Sequence, residues 1–381
     1  MKADIFCRVV DNYGDIGVCW RLARRLAHGI GWQVRLWVDD LASFARIQQD
    51  VDPQASRQAV QGVDIVRWTE TPAGDLAPGD VVIETFACDP PAAFVEAMRR
   101  SHPVWINLEY LSAEPWVETC HGLPSQRPDG LVKHFFFPGF TDATGGLLRE
   151  PGLSAERDAL QASAGQQEDF LRALGIAETH LAARRQGGRL ATLFCYPQAP
   201  LAGLAQALAT DARPTLLLAP EGVAPALEAA CAAAGGPAAG GPAAAGPAVA
   251  RVPFMPQPDF DRLLWCSDLN FVRGEDSFVR AAWAARPLIW QIYPQDENVH
   301  LEKLDAWLAR YPAPEAAQAL MRAWNRAGAP DDTRAALQAA LAPAAWNAWL
   351  AAARQWDAEQ ASRPDLGDSL AGFCTELAKK R

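Results

Sequence analysis

The sequence predicts an α/β protein of two doubly wound domains followed by a helical tail. Three observations carry this. Short apolar runs alternate with helix-patterned segments from the start of the chain to about residue 150. The alternation lapses over 151–187 and restarts at Arg189. From Pro314 onward the chain is alanine-rich and reads as helix alone. Strands that alternate with helices across short polar loops make a parallel sheet with both faces covered. The expected domains are therefore 1–150 and 188–360, joined by a helical connector over 151–187, with a last helix over about 361–381 packing back on the first domain.

In the first domain the expected strands cover 3–10, 34–38, 63–68, 80–86, 104–109 and 131–137. The first is followed by the loop Asp11-Asn12-Tyr13-Gly14-Asp15-Ile16-Gly17, then by a helix with Val18, Leu22 and Leu26 on one face. Pro90-Pro91 precedes a helix over 92–100. The connector is polar and helix-prone. In the second domain strands are expected over 190–195 and 215–219 and helices over 201–210 and 224–234. Residues 232–249 are almost entirely Ala, Gly and Pro and read as a flexible surface excursion. Order returns at Val252-Pro253-Phe254 and continues through an amphipathic segment over 260–266. A strand over 269–272 is then broken at Arg273-Gly274-Glu275-Asp276-Ser277; a helix over 278–285 stops at Pro287, and a strand follows over 288–293. Leu366, Leu370, Phe373 and Leu377 stand at helical spacing, so the tail has a face to bury. Two Rossmann-like domains facing across a cleft, with a helix crossing back, is the GT-B glycosyltransferase architecture; to this point that is fold-level analogy.

Composition narrows the function classes. The chain has 381 residues, 50% of them hydrophobic, and a formal charge of -10. That charge disfavours a nucleic-acid groove, which leans on basic patches. There is no apolar run long enough to span a bilayer, so no membrane partner is expected. MKADIFCRVVDN turns polar too soon for a signal peptide, and the expected location is cytoplasmic. The eight cysteines are dispersed without a C-x-x-C pair and read as buried free thiols.

Two loops carry the candidate chemistry. In Arg273–Ser277, Asp276 or Ser277 is placed to cap the following helix, so backbone N–H groups and Arg273 form an anion site suited to diphosphate. Glu275 and Asp276 would discourage bare phosphate unless they hold a sugar or ribose hydroxyl. The loop reads equally well as an ordinary strand–helix turn with a good cap. The first loop holds Asp11 and Asp15 at the carboxyl end of a strand, where α/β sheets open to ligand. Asp15 is also in place to cap the helix; two carboxylates are more than a cap needs. Neither G-x-G-x-x-G nor GK[ST] is present, which disfavours a nicotinamide dehydrogenase and a P-loop, and no G-x-S-x-G elbow is present. Asp50/Asp52 and Asp259/Asp261 spell D-x-D but read as caps and solvated charges, and no metal is expected. The six histidines show no paired ligand spacing; His300 reads as structural or as rim, and Glu109 ends a strand facing the same cleft. Phe194 and Tyr196 end a strand, Phe254 and Phe260 bracket Gln257, and Tyr293 ends the last strand; beside an anion loop these suit a nucleotide, since one stacked base is worth about 1–3 kcal/mol.

Seven blocks then point to one family: FCRVVDNYGDIGVCWRLARRLA, VIETFACD, INLEYLSAE, FFFPGF, LFCYP, PFMPQPDFDRLLW and FVRGEDSFVRAAWAARPLIWQIYPQDENVH. They resemble the bacterial protein-arginine rhamnosyltransferases that mature translation elongation factor P. The resemblance is faint over 151–187, in the Ala/Gly/Pro stretch and in the C-terminal helices. It implies a GT-B fold and inverting transfer of L-rhamnose from dTDP-β-L-rhamnose to an arginine of elongation factor P. It also implies that no metal takes part, and that the modification activates the factor for stalling polyproline sequences. Carried over by matching strings, it implies Asp15 as general base, Asp11 as a second required carboxylate and Glu275 in catalysis at the donor. Phe254 and Phe260 would sandwich thymine, with Phe194, Tyr196 and Gln257 beside it; Arg273, Asp276, Ser277 and Tyr293 would hold ribose and diphosphate.

The implied chemistry constrains the base. A guanidinium holds its proton with a pKa above about 12, whereas a carboxylate sits near about 4. Prior deprotonation across that gap of roughly eight units costs about 11 kcal/mol. Asp15 is therefore expected to grip the guanidinium and to take its proton only as the C–N bond forms. This requires Asp15 to face the gap that Arg273 and Ser277 border; an Asp15 that is buried or turned away from it removes this transferase mechanism. The competing readings are another metal-independent GT-B nucleotide-sugar transferase and a non-catalytic nucleotide-sugar-binding protein. The full set Asp11, Asp15 and Glu275 argues against the second.

Overall fold

The computed structural model describes residues 1–10, 13–69, 77–235, 247–294, 299–326 and 330–380. Two compact units result, Met1–Leu153 with Gln360–Arg381, and Ser154–Glu359.

The first unit is built on β1 (Lys2–Cys7), β2 (Gln33–Val38), β3 (Arg57–Val60), β4 (Val63–Arg67), β5 (Val81–Thr85), β6 (Val104–Leu108), β7 (Pro124–Gln126) and β8 (Val132–Phe136). Their order is β3-β4-β2-β1-β5-β6-β8-β7, and only the edge strands β3 and β7 pair antiparallel. Successive residues of each inner strand feed opposite cores, as a sheet covered on both faces demands. Ile5, Leu36, Ile83 and Ile106 pack with the helix Gly14–Arg24 and with Leu366, Leu370 and Cys374 of the last helix. Phe6, Trp37, Val82 and Trp105 pack with Phe94 and Met98 of the helix Ala92–Ser101.

β1 ends three residues earlier than the apolar run suggests. Beyond Cys7, side-chain carboxylates take the backbone donors: Val9 N–H donates to Asp39 at 2.9 Å and Val10 N–H to Asp15 at 2.8 Å. The last helix, Leu366–Lys379, is tied down at its start. Asp365 caps it by accepting Gly367 N–H at 2.7 Å, and the same carboxylate takes both Nε and Nη2 of buried Arg25, at 3.2 and 2.7 Å. Asp368 adds a third bond to Arg25 at 2.6 Å.

The second unit carries β9 (Arg189–Leu193), β10 (Thr215–Pro220), β11 (Ala248–Val252), β12 (Leu269–Arg273) and β13 (Leu288–Gln291), all parallel, in the order β11-β10-β9-β12-β13. β11 falls partly inside the stretch that reads as an excursion; residues 236–246 of that stretch lie outside the described residues. Alanine is a poor strand former, and β11 exists because Ala248–Val252 pairs in register with Leu216–Pro220. The stretch read as a connector folds into the helices Leu153–Ala162, Ala164–Ala173 and Glu178–Arg185. Leu171, Ile176 and Leu181 from it share a core with Leu190, Leu218 and Leu263, so most of it belongs to the second unit. All eight cysteines are unpaired and all but Cys120 are buried. Among the described residues no helix is long and apolar enough to cross a membrane, and no His/Cys/Asp/Glu group of metal-holding size occurs.

The tail clamp gives a test. Asp365→Ala takes the buried, two-bond partner from a guanidinium that is only 5% exposed and leaves it Asp368 alone, a loss of up to about 3 kcal/mol. Asp368, with its side chain half exposed, is worth less than about 1 kcal/mol. Urea denaturation followed by circular dichroism should separate the two alanine variants by that margin, and equal losses would show that Asp365 is not the clamp.

Candidate functional site

In the second sheet the strand order reverses between β9 and β12, and this reversal opens a crevice at the carboxyl ends of those strands. The loop leaving β9 begins Phe194-Cys195-Tyr196 and the loop leaving β12 begins Gly274-Glu275. They are bonded to one another. Arg273 Nη1 donates to the Cys195 carbonyl at 3.2 Å, and its guanidinium carbon lies 4.8 Å from the Tyr196 ring centroid. Tyr293 meets the Tyr196 ring edge-on at 5.6 Å. Tyr196 N–H donates to the buried Gln291 side chain at 2.7 Å, and Gly274 N–H to the Gln291 carbonyl at 3.2 Å.

Arg273 differs from the neighbouring arginine on the same loop and helix. Arg280 is spent in a buried bidentate pair with Asp261, at 3.0 and 2.7 Å. Arg273 meets a carbonyl and a ring face but, among the described residues, no carboxylate. A half-buried cation without a counter-charge at a ligand-binding edge is suited to an anion. Asp261 also corrects the sequence reading: it is a buried ion-pair partner on the helix Gln257–Cys266, not a solvated charge. Asp259 does pair at the surface, with Arg262.

The cap is corrected as well. Glu275, not Asp276 or Ser277, occupies the cap position of the helix Asp276–Ala282, and its side chain makes no capping bond. Ser277 Oγ turns back, donating to the Arg273 carbonyl and accepting Arg273 N–H at 3.2 Å, so it braces the loop. Glu275 instead accepts Lys303 Nζ at 3.1 Å, a partner from the helix Val299–Leu308 that sequence spacing does not reveal. The helix is only seven residues long, so its dipole is modest beside the full charge of Arg273.

Phe194 and Phe260 are brought together edge-to-face at 4.8 Å, and Phe194 leans on the core. Phe254 leaves β11 with 48% of its surface exposed, and Gln257 is buried in the first turn of the next helix. Asp276 is half-buried in the first turn of its own short helix. Burial pushes the Cys195 thiol up to about 12, which removes it as a nucleophile. His300 is buried, the structural alternative of the two expected for it.

In the first unit the order reverses between β1 and β5. Asp11 lies outside the described residues. Asp15 sits in the first turn of Gly14–Arg24, but the cap position belongs to Tyr13, whose side chain makes no capping bond. Asp15 is 4% exposed and holds Val10 N–H. The base role predicted from the sequence requires this carboxylate to face open space; the structure instead buries it and gives it Val10 N–H as a donor. In the loop after β5, Phe86, Ala87 and Asp89 all have positive φ, at 57°, 54° and 47°, which non-glycine residues adopt at a cost. Phe86 stacks on Tyr110 at 4.2 Å. Glu109 accepts the Asn107 amide at 2.5 Å, and burial raises its carboxyl above the usual range.

Comparison with known proteins fits these features into one family. The family model described as Elongation-Factor P (EF-P) rhamnosyltransferase EarP matches residues 3–375. A protein-arginine rhamnosyltransferase of Pseudomonas putida is 49% identical over 98% of this chain and 99% of its own. A solved structure concerned with EarP-mediated arginine glycosylation of translation elongation factor EF-P is 37% identical, covers 98% of this chain and 99% of its own, and superposes with a TM-score of 0.65. The glycosyltransferase VinC, solved in complex with dTDP, aligns over the whole of both chains at a TM-score of 0.52 but only 13% identity, a likeness of fold alone, and that fold is GT-B.

Gly274 leaves β12 at a φ of +62°, a left-handed conformation that costs an L side chain about 1–2 kcal/mol. Gly274→Ala should lower the stability of the second unit by that amount in chemical denaturation. Gly274→Asn should cost less, because asparagine tolerates this region. Equal losses would show that space, not backbone conformation, selects glycine.

Proposed function

The chain belongs to the family of protein-arginine rhamnosyltransferases that act on elongation factor P, and from that membership we propose that it moves L-rhamnose from dTDP-β-L-rhamnose to an arginine of that factor, with inversion and without a metal. The observation that carries the donor half is Arg273, a cation without a described carboxylate partner at the reversal of the second sheet, braced by Cys195, Tyr196 and Ser277. Its charge suits a diphosphate, both in the bound donor and as negative charge grows on the leaving group. Phe254 and Phe260 are assigned to the thymine faces, with Phe194, Tyr196 and Gln257 alongside. Asp276, Ser277 and Tyr293 are assigned to ribose and diphosphate.

Glu275 is assigned to catalysis at the donor, its carboxylate anchored by Lys303. Asp15 is assigned as general base and Asp11 as its companion, both on the strength of the family motif. Asp15 is covered in this structure, so the role requires that acceptor binding displace the backbone of Val10 from it. Once in contact, the carboxylate binds the guanidinium while it is still cationic and receives the proton as the anomeric carbon is attacked.

Incubation with dTDP-rhamnose and purified elongation factor P should add one deoxyhexose to the factor by intact mass, and UDP- or GDP-sugars should not substitute. Asp15→Asn should abolish transfer while leaving the dTDP dissociation constant within about twofold; undiminished turnover would remove the base assignment. Arg273→Ala forfeits a charge-assisted contact worth about 1.5–3 kcal/mol, so calorimetry should show dTDP binding roughly 10- to 100-fold weaker. Unchanged affinity would mean that the donor sits elsewhere.

A further inference from the structure

We propose that Gln291 is the positioning residue of the nucleotide-sugar seat, acting through Tyr196 and Arg273 to set where the cation stands. The inference rests on the donor reading above. Gln291 ends β13, opposite Arg273 in the strand register, and is 2% exposed. Its side-chain oxygen accepts Tyr196 N–H at 2.7 Å, and its backbone carbonyl accepts Gly274 N–H at 3.2 Å. One residue therefore holds both loops of the crevice. β13 does not border β9; β12 lies between them, so the bond ties the loop leaving β9 to a strand that is not its neighbour in the sheet.

The choice of residue is informative. Leu288, Ile289, Trp290 and Ile292 around it are apolar and buried, and a buried amide among them carries a desolvation cost that leucine would not. If Gln291 served packing alone, leucine would be as good or better. Tyr196 is itself 6% exposed, so its N–H has little access to water as a substitute partner. Loss of the Gln291 oxygen then forces the β9 loop to move. Arg273 depends on that loop twice, through the Cys195 carbonyl and the Tyr196 ring. Trp290 backs the arrangement from the same strand, its indole N–H donating to the Gly274 carbonyl at 2.7 Å.

Calorimetric titration of the full chain with dTDP tests this, using Gln291→Leu, Gln291→Met, Arg273→Ala and the double variant Gln291→Leu/Arg273→Ala. Both Gln291 variants remove the acceptor with different shapes, so failure of one to fold leaves the other to decide. Each is expected to raise the dissociation constant about tenfold with the thermal midpoint close to that of the unmodified protein. In the Arg273→Ala background, Gln291→Leu is expected to add less than about twofold, because the two act as one unit. Unchanged affinity in both single variants, or losses that multiply in the double variant, would overturn the proposal. Failure of the unmodified protein to bind dTDP would instead sink the donor reading, and this inference with it.

Discussion

The constraint on which both units depend is the handedness of the strand–helix–strand crossover. Parallel strands joined by right-handed crossovers place helices on one face while the chain winds in one direction and on the other once it doubles back. The loops at the turning point diverge and leave a crevice. In the second unit β9 and β12 are that point, and their loops carry Phe194, Tyr196, Arg273 and Glu275. In the first unit β1 and β5 are that point, leading to Asp15 and to the strained residues Phe86, Ala87 and Asp89. The candidate chemistry thus falls where topology alone would put it, and the side chains refine what topology begins.

Buried charge does a different task. Arg25 with Asp365, Arg157 with Asp357 and Arg280 with Asp261 each join segments of one unit that are apart in sequence. Such pairs add little net stability over an apolar replacement, yet breaking one is expensive. They therefore specify where the tail helix, the first helix of the second unit and the helix after β11 must lie. Arg273 stands outside this pattern. Its contacts are to a carbonyl and a π face, which hold the guanidinium in place without cancelling its charge. Three arginines are neutralised to fix the frame, and a fourth is held in place but keeps its charge.

What the sequence discloses follows from which forces are local. The inner strands are legible because a sheet buried on both faces needs continuous apolar runs, and Val81–Thr85, Val104–Leu108 and Leu269–Arg273 supply them. β3, β7 and β11 are not legible, since Arg57–Val60, Pro124–Gln126 and Ala248–Val252 owe their extension to a neighbouring strand. Capping was misplaced for a related reason. Ser277 has the chemistry of a cap, but its hydroxyl has a better partner in the Arg273 backbone, which the left-handed turn at Gly274 brings within reach. Asp261 looks solvated until Arg280 arrives from another helix. Gln291 left a trace that can be read afterwards: a lone amide in an apolar strand has to be answered by something.

Asp15, proposed above as the base, poses the sharpest question, because a base must meet its acid. It holds Val10 N–H, and Val10 is itself 75% exposed. Little apolar surface is lost if that peptide moves aside. A guanidinium would bring a full positive charge and parallel donors to the carboxylate in place of a single uncharged N–H donor. While Val10 is bonded, one carboxylate oxygen is occupied and a bidentate grip is not available. Covering Asp15 in the absence of acceptor is thus compatible with its acting as base, provided the arginine itself does the uncovering.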